Sequence, residues 1–246
     1  MLDGIKRWFT GSQSTGTSGF EGIAAWADDA QYTFRGVQGE GFVVDGRLDS
    51  RLWRLEWGPS QRPYISGFEL RLRAEPGVEG DLQLLVMTRV LQEQLEKSIF
   101  EKYVEDVQTR IDNQTPPEMR WLVMFPKLAG SEMGPLREPY VALGNAKTWL
   151  VAWLQGPLSQ ALQAHADDQA APFVLMLGRG RLMLRTEMAV PNVPEVKRCL
   201  KLFETALREA SRVHVDNPGG LPPPSGGRDW GASTTHAGLD SSSSKS

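Results

Sequence analysis

Cysteine is almost missing from this chain: Cys199 is the only one in 246 residues. No intramolecular disulfide can form, and no zinc site can be built from thiolates. Histidine is scarce as well. His165, His214 and His236 are scattered, and no carboxylate spacing resembles a metal loop, so no metal and no other cofactor is expected. Charge of one sign is also lacking. The 27 basic and 30 acidic residues leave a net charge of −3. That balance speaks against general nucleic-acid binding, which needs a basic footprint. Long apolar runs are absent. The longest, residues 149–154 and 173–177, are far too short to cross a bilayer. Lys6 and Arg7 are followed by no apolar stretch, so no secretory leader is expected. The chain is expected to be cytoplasmic, with no transmembrane segment.

What is present is an ordinary globular composition, 40% hydrophobic and 23% charged, enough to bury a sizeable core without staples. Three regions differ in character. Residues 1–19 hold a short amphipathic turn, in which Leu2, Ile5, Trp8 and Phe9 share a face, and then a Gly/Ser/Thr-rich linker. Residues 20–213 form a single α+β body, with two similar halves at about 20–114 and 118–213 as the alternative division. Residues 214–246 are a disordered Gly/Pro/Ser-rich tail. Trp230 in the tail reads as incidental rather than as a docking motif.

Periodicity places the elements. Residues 20–30 read as a short helix. Residues 32–35 and 41–44 read as strands, with Asp45-Gly46 as a hairpin turn. Trp53, Leu55 and Trp57 alternate with Arg54 and Glu56, and Phe68, Leu70 and Leu72 alternate with Glu69, Arg71 and Arg73. This is an antiparallel meander with one buried face. A long helix is expected between Asp81 and Ile111, on the steps Leu84, Thr88, Leu91, Leu95, Ile99, Tyr103, Val107 and Ile111. Residues 121–125 read as a buried strand and 126–139 as a loop. Asn145 is expected to cap a helix through Leu154, with a strand as the alternative for 149–154. A helix over 157–165 and a hairpin around Gly178-Arg179-Gly180 follow. The last helix opens on a capping box of Asn192 and Glu195 with Pro194 in its first turn. Its buried stripe is Val196, Leu200, Phe203, Leu207 and Ala210.

Leu70–x–Leu72–Arg73–x–Glu75–x–x–Val78 and Leu182–x–Leu184–Arg185–x–Glu187–x–x–Val190 share the pattern L-x-L-R-x-E-x-x-V. A β-β-α duplication would produce it, and so would two ordinary strand ends. In either case Arg73 with Glu75, and Arg185 with Glu187, are expected on the outer face.

No catalytic motif meets its physical requirements. Gly144-Asn145-Ala146-Lys147-Thr148 lacks the glycines that a phosphate loop needs. Gly39-x-Gly41 and Gly178-x-Gly180 read as hairpin turns. Asp28-Asp29 and Asp167-Asp168 are neighbours that point apart. Cys199 reads as a core residue and His165 as a boundary residue rather than a general base. Trp53, Trp57, Tyr64, Trp121, Trp149 and Trp153 fit core positions, with a ligand pocket as the lesser alternative.

The fold class is therefore α+β, a mostly antiparallel sheet packed against long amphipathic helices. In element order it resembles small chaperone-like α+β folds of the type III secretion chaperone kind, which implies an accessory role. The leading expectation is a non-enzymatic protein-binding or accessory protein with a protein partner. One alternative is an enzyme with a carboxylate/arginine site drawn from Glu56, Glu69, Arg73 and Arg185. The other is a peripheral membrane factor held by residues 1–9. No catalytic, cofactor-binding or metal-ligating residue is assigned.

Overall fold

The computed structural model describes residues 19–37, 41–104, 115–168 and 171–216. The amphipathic turn, most of the linker, the tail from residue 217, and residues 105–111 of the expected long helix lie outside them. Eight strands form one sheet in the order β1-β2-β3-β4-β8-β7-β5-β6, with every neighbour antiparallel. The strands are β1 (Thr33–Val37), β2 (Gly41–Leu48), β3 (Arg51–Pro59), β4 (Phe68–Ala74), β5 (Gln83–Thr88), β6 (Tyr140–Gly144), β7 (Phe173–Gly178) and β8 (Arg181–Glu187). The helices are α1 (Glu21–Asp29), α2 (Arg89–Val104), α3 (Pro117–Met124), α4 (Gly130–Met133), α5 (Lys147–Trp153), α6 (Pro157–Asp168) and α7 (Val193–Asp216). The protein is thus α+β, as its patterning predicts.

Helices lie on both faces, but unequally. On the first face α1, α5, α6 and α7 cover the sheet. Trp53, Leu55, Leu70, Leu72, Leu84, Leu175 and Leu184 meet Trp153, Leu162, Val196, Phe203 and Ala210 there, all buried. α7 carries the predicted stripe, and its N-terminus is capped as expected, with Glu195 N–H donating to Asn192 Oδ1 at 2.9 Å. On the second face α2 and α3 cover β5, β6 and β7, where Leu85, Met87, Val141, Leu143, Val174 and Met176 pack against Leu91, Leu95, Met119, Trp121 and Leu122. On this face β2, β3, β4 and β8 carry charge instead.

Several expectations are corrected. The Asp45-Gly46 pair is not a turn, because β2 runs through it and the chain reverses at Asp49, whose φ is +54°. Gly46 is needed for close approach: a Cβ there would lie 2.1 Å from the Trp53 indole. The long helix begins only at Arg89, since Gln83–Thr88 is β5. Leu84 to Met87 are buried on both faces of the sheet, and such a continuous apolar run carries no period that tells strand from helix. Residues 121–125 are helical through Met124, following Pro117 at the first helical position. Residues 130–137 hold α4 and a 3₁₀ turn rather than a plain loop. Residues 149–153 are helical, but Asn145 does not cap them. Its side chain accepts from Gln83 N–H and donates to Asp81 O, tying β5 to β6.

The two L-x-L-R tracts lie side by side, with Leu72 opposite Leu184. β8 leads directly into α7, whereas β5 intervenes between β4 and α2. Arg185 is not on an exposed outer face: it is 5% exposed.

Candidate functional site

On the second face the strand register brings the candidate polar groups together. Glu56 on β3, Arg71 on β4 and Arg185 on β8 occupy one cross-strand row. Arg54, Arg73 and Met183 form the next row. Glu56 lies 3.4 Å from Arg71 and 3.1 Å from Arg73. Glu69 Oε1 accepts from Arg185 at 2.8 Å, from Arg71 at 2.9 Å and from Gln61 N–H at 3.0 Å. Glu56, Glu69, Arg73 and Arg185 thus belong to one connected charged cluster. Glu69 was expected to face outward and is instead fully buried. It is sealed because the β3–β4 connection folds back over the sheet.

That connection also reaches α3. Arg62 Nε donates to Glu118 Oε1 at 3.0 Å, and Tyr64 Oη donates to the same oxygen at 3.0 Å. Glu118 has no exposed surface. Burial, followed by the nearby Glu118 charge, pushes the Tyr64 phenol well above its usual range. Burial is the largest influence on the Arg62 guanidinium and lowers its proton affinity, but the Glu118 charge and hydrogen bond, with Tyr64 and Glu69 adding to them, together raise the net value. Two fully buried carboxylates, Glu69 and Glu118, therefore fasten the connection to β4 and to α3.

A groove of about 930 Å³ opens where the second helical layer ends. One wall is the α3 stripe Pro117, Arg120, Trp121 and Met124, at helical i, i+3, i+4 and i+7 steps. The floor is Met176 and Met183, directly paired across β7 and β8. Arg179, from the β7–β8 turn, and Arg181, which opens β8, border one end, and Gln61, Arg62 and Pro63 the other. The turn is built on positive φ at Arg179 (+55°) and Gly180 (+69°), the geometry of a type I′ hairpin. Gly178 lets Trp121 lie against the sheet: a Cβ there would be 2.5 Å from the indole.

Four arginines and no carboxylate line this groove. Glu118 engages Arg62 from behind, and the exposed Glu75 stands 3.6 Å from Arg181. Among the described residues Arg120 and Arg179 have no ion-pair partner, and Arg120 Nε is buried without a hydrogen-bond acceptor. The arrangement can bind negative charge beside an apolar surface. Sequence reasoning missed Arg62, Arg120, Arg179 and Arg181 as a group because they come from three separate stretches. Of the lining, the sequence singles out Trp121 as a core aromatic and Gly178-Arg179-Gly180 as a hairpin turn.

The remaining candidates are dispersed. Cys199 is fully buried, and burial pushes its thiol up to about 12. His165 is 9% exposed and packs against Phe173, with ring centroids 4.6 Å apart. Trp53, Trp57, Trp149 and Trp153 belong to the first-face core. Asp28 and Asp29 end α1 and are exposed. Among the described residues no group of three or more His, Cys, Asp or Glu could hold a metal ion. No helix among them is long and apolar enough to cross a membrane.

No family model matches the chain, and no curated protein matches it. Among solved structures it is similar to the crystal structure of the mycobacterial trehalose monomycolate transport factor A, TtfA. The TM-score is 0.44 at 8% identity, covering 82% of this chain and 96% of that one. A likeness of that degree carries no argument about function.

Proposed function

We propose that this is a non-enzymatic binding or accessory protein that holds an acidic segment of a protein partner in the groove beside α3. The observation that carries this reading is the lining of four arginines with no carboxylate, set against a methionine floor. Guanidinium forks bind carboxylates in pairs of parallel hydrogen bonds. Methionine adapts to varied apolar side chains. Together they favour a polypeptide that offers both kinds of group.

Affinity capture from native lysate with the full chain tests this. The variant R120E/R179E should lose the partner held by the wild type. A matched change on α7, K197E/K201E, places the same charge on exposed positions away from the groove and should keep it. Equal retention by all three proteins would move the binding surface elsewhere and defeat the reading.

A further inference from the structure

The ends and floor of the groove lie along strand β8, and this sets a spacing. Arg181, Met183 and Arg185 follow each other on one face of β8. Arg185 meets Glu69, which also holds Gln61 N–H, so the level of Arg185 marks the end bordered by Gln61 and Arg62. Four strand residues span about 13 Å. The levels of Arg181 and Arg185 on β8 are therefore about 13 Å apart, with the Met176–Met183 pair midway between them. α3 runs alongside. Its Glu118 lies at the Arg62 end and its Trp121 beneath Gly178 at the other. Arg120 stands between them.

An extended peptide advances by the same 3.2–3.4 Å per residue and shows alternate side chains on one side. Side chains at i, i+2 and i+4 would then meet one end, the floor and the other end in turn. We infer that the groove reads an extended segment of the pattern acid-x-apolar-x-acid. The acids pair with Arg62 and with Arg179 or Arg181, and the apolar side chain rests on Met176 and Met183. Arg120, on the α3 wall, is left to meet a peptide carbonyl or one of the acids. This rests on the reading of the groove as the site for an acidic partner, and it adds the sequence that is recognised.

Two other occupants fit less well. A single-stranded nucleic acid needs exposed aromatic faces on which bases stack, and Trp121, the aromatic residue of the lining, is only 8% exposed. A lone small anion would engage one end of a groove of about 930 Å³ and leave the other arginines unused.

The test uses the full chain and three labelled peptides, followed by fluorescence anisotropy at low salt. Their cores are D-A-L-A-D, its isomer D-D-L-A-A, and K-A-L-A-K. The expected result is at least tenfold tighter binding of the first than of the isomer, with no binding of the lysine peptide. Arg181→Ala, at a half-exposed position, should remove the preference between isomers by removing one end. Equal affinity for both acidic isomers overturns the spacing rule and leaves the acidic-partner reading standing. If no peptide binds while R120E/R179E still abolishes capture, the rule again fails alone. If neither peptide binding nor capture responds to the groove arginines, both fail. Displacement of the first peptide by inorganic phosphate or oligothymidylate at equal charge concentration would reduce the site to a general anion site and overturn the rule.

Discussion

Arg71 on β4 and Arg185 on β8 stand directly opposite each other, and Glu69 Oε1 accepts a hydrogen bond from both, at 2.9 and 2.8 Å. Like charges opposite one another across a ladder repel. The buried carboxylate turns that repulsion into a bridge, and the same oxygen holds the β3–β4 connection at Gln61 N–H.

Breaking the bridge should therefore be costly and non-additive. Glu69→Leu leaves two guanidiniums facing each other and is expected to lose about 3–5 kcal/mol. Arg185→Leu should lose less, because Arg71 still pairs with Glu69. The double variant should be more stable than Glu69→Leu alone. Urea unfolding of the four proteins checks this. A double variant at the sum of the single losses would show that the two residues do not act as a unit.

The Gly46 approach to Trp53 gives a second expectation. Gly46→Ala should cost about 1–3 kcal/mol through overpacking and shift the fluorescence of the buried indole. A neutral Gly46→Ala would mean that the Trp53 ring has room to move.

Tyr64 predicts an alkaline limit. Its folded value is raised, first by burial and then by the Glu118 charge. The stability it contributes is therefore fully present below the unfolded value, about 10, and is lost as pH rises through the folded value. Denaturation midpoints should fall above about pH 10, and Tyr64→Phe should flatten that fall. An unchanged profile in Tyr64→Phe would remove Tyr64 from the explanation.

Cys199 should be inert in the folded protein. Burial raises its thiol from 9.0 to about 12 and leaves it no exposed surface. A disulfide reagent at pH 8 should react only as fast as the chain opens, and at once in denaturant. Prompt reaction of the native protein would contradict the packing of α7.

Much of the fold was legible because its signals are local. The alternation of Trp53, Leu55 and Trp57, the hairpin at Arg179-Gly180 and the Asn192–Glu195 cap each depend on a few adjacent residues. β5, β6 and α3 were not legible in that way. Leu84–Met87 and Tyr140–Gly144 are buried on both faces, so period gives no direction. The short apolar run Trp121–Phe125 reads equally as strand or helix until Pro117 is seen as a helix start. Of the site, Glu56, Glu69, Arg73 and Arg185 could be singled out as charged strand residues, but their shared cluster depends on β4 pairing with β8, 108 residues or more apart along the paired positions. The groove arginines depend on α3 packing beside β7, which no local pattern announces.

Hydrogen exchange of the full chain, with and without its captured partner, tests the central claim most directly. The partner should protect residues 117–124 of α3 and residues 176–183 of β7, the turn and β8, with little change at the β1 edge. Protection confined to other surfaces, with exchange at α3 and the β7–β8 turn unchanged, would contradict the assignment of the groove as the binding site.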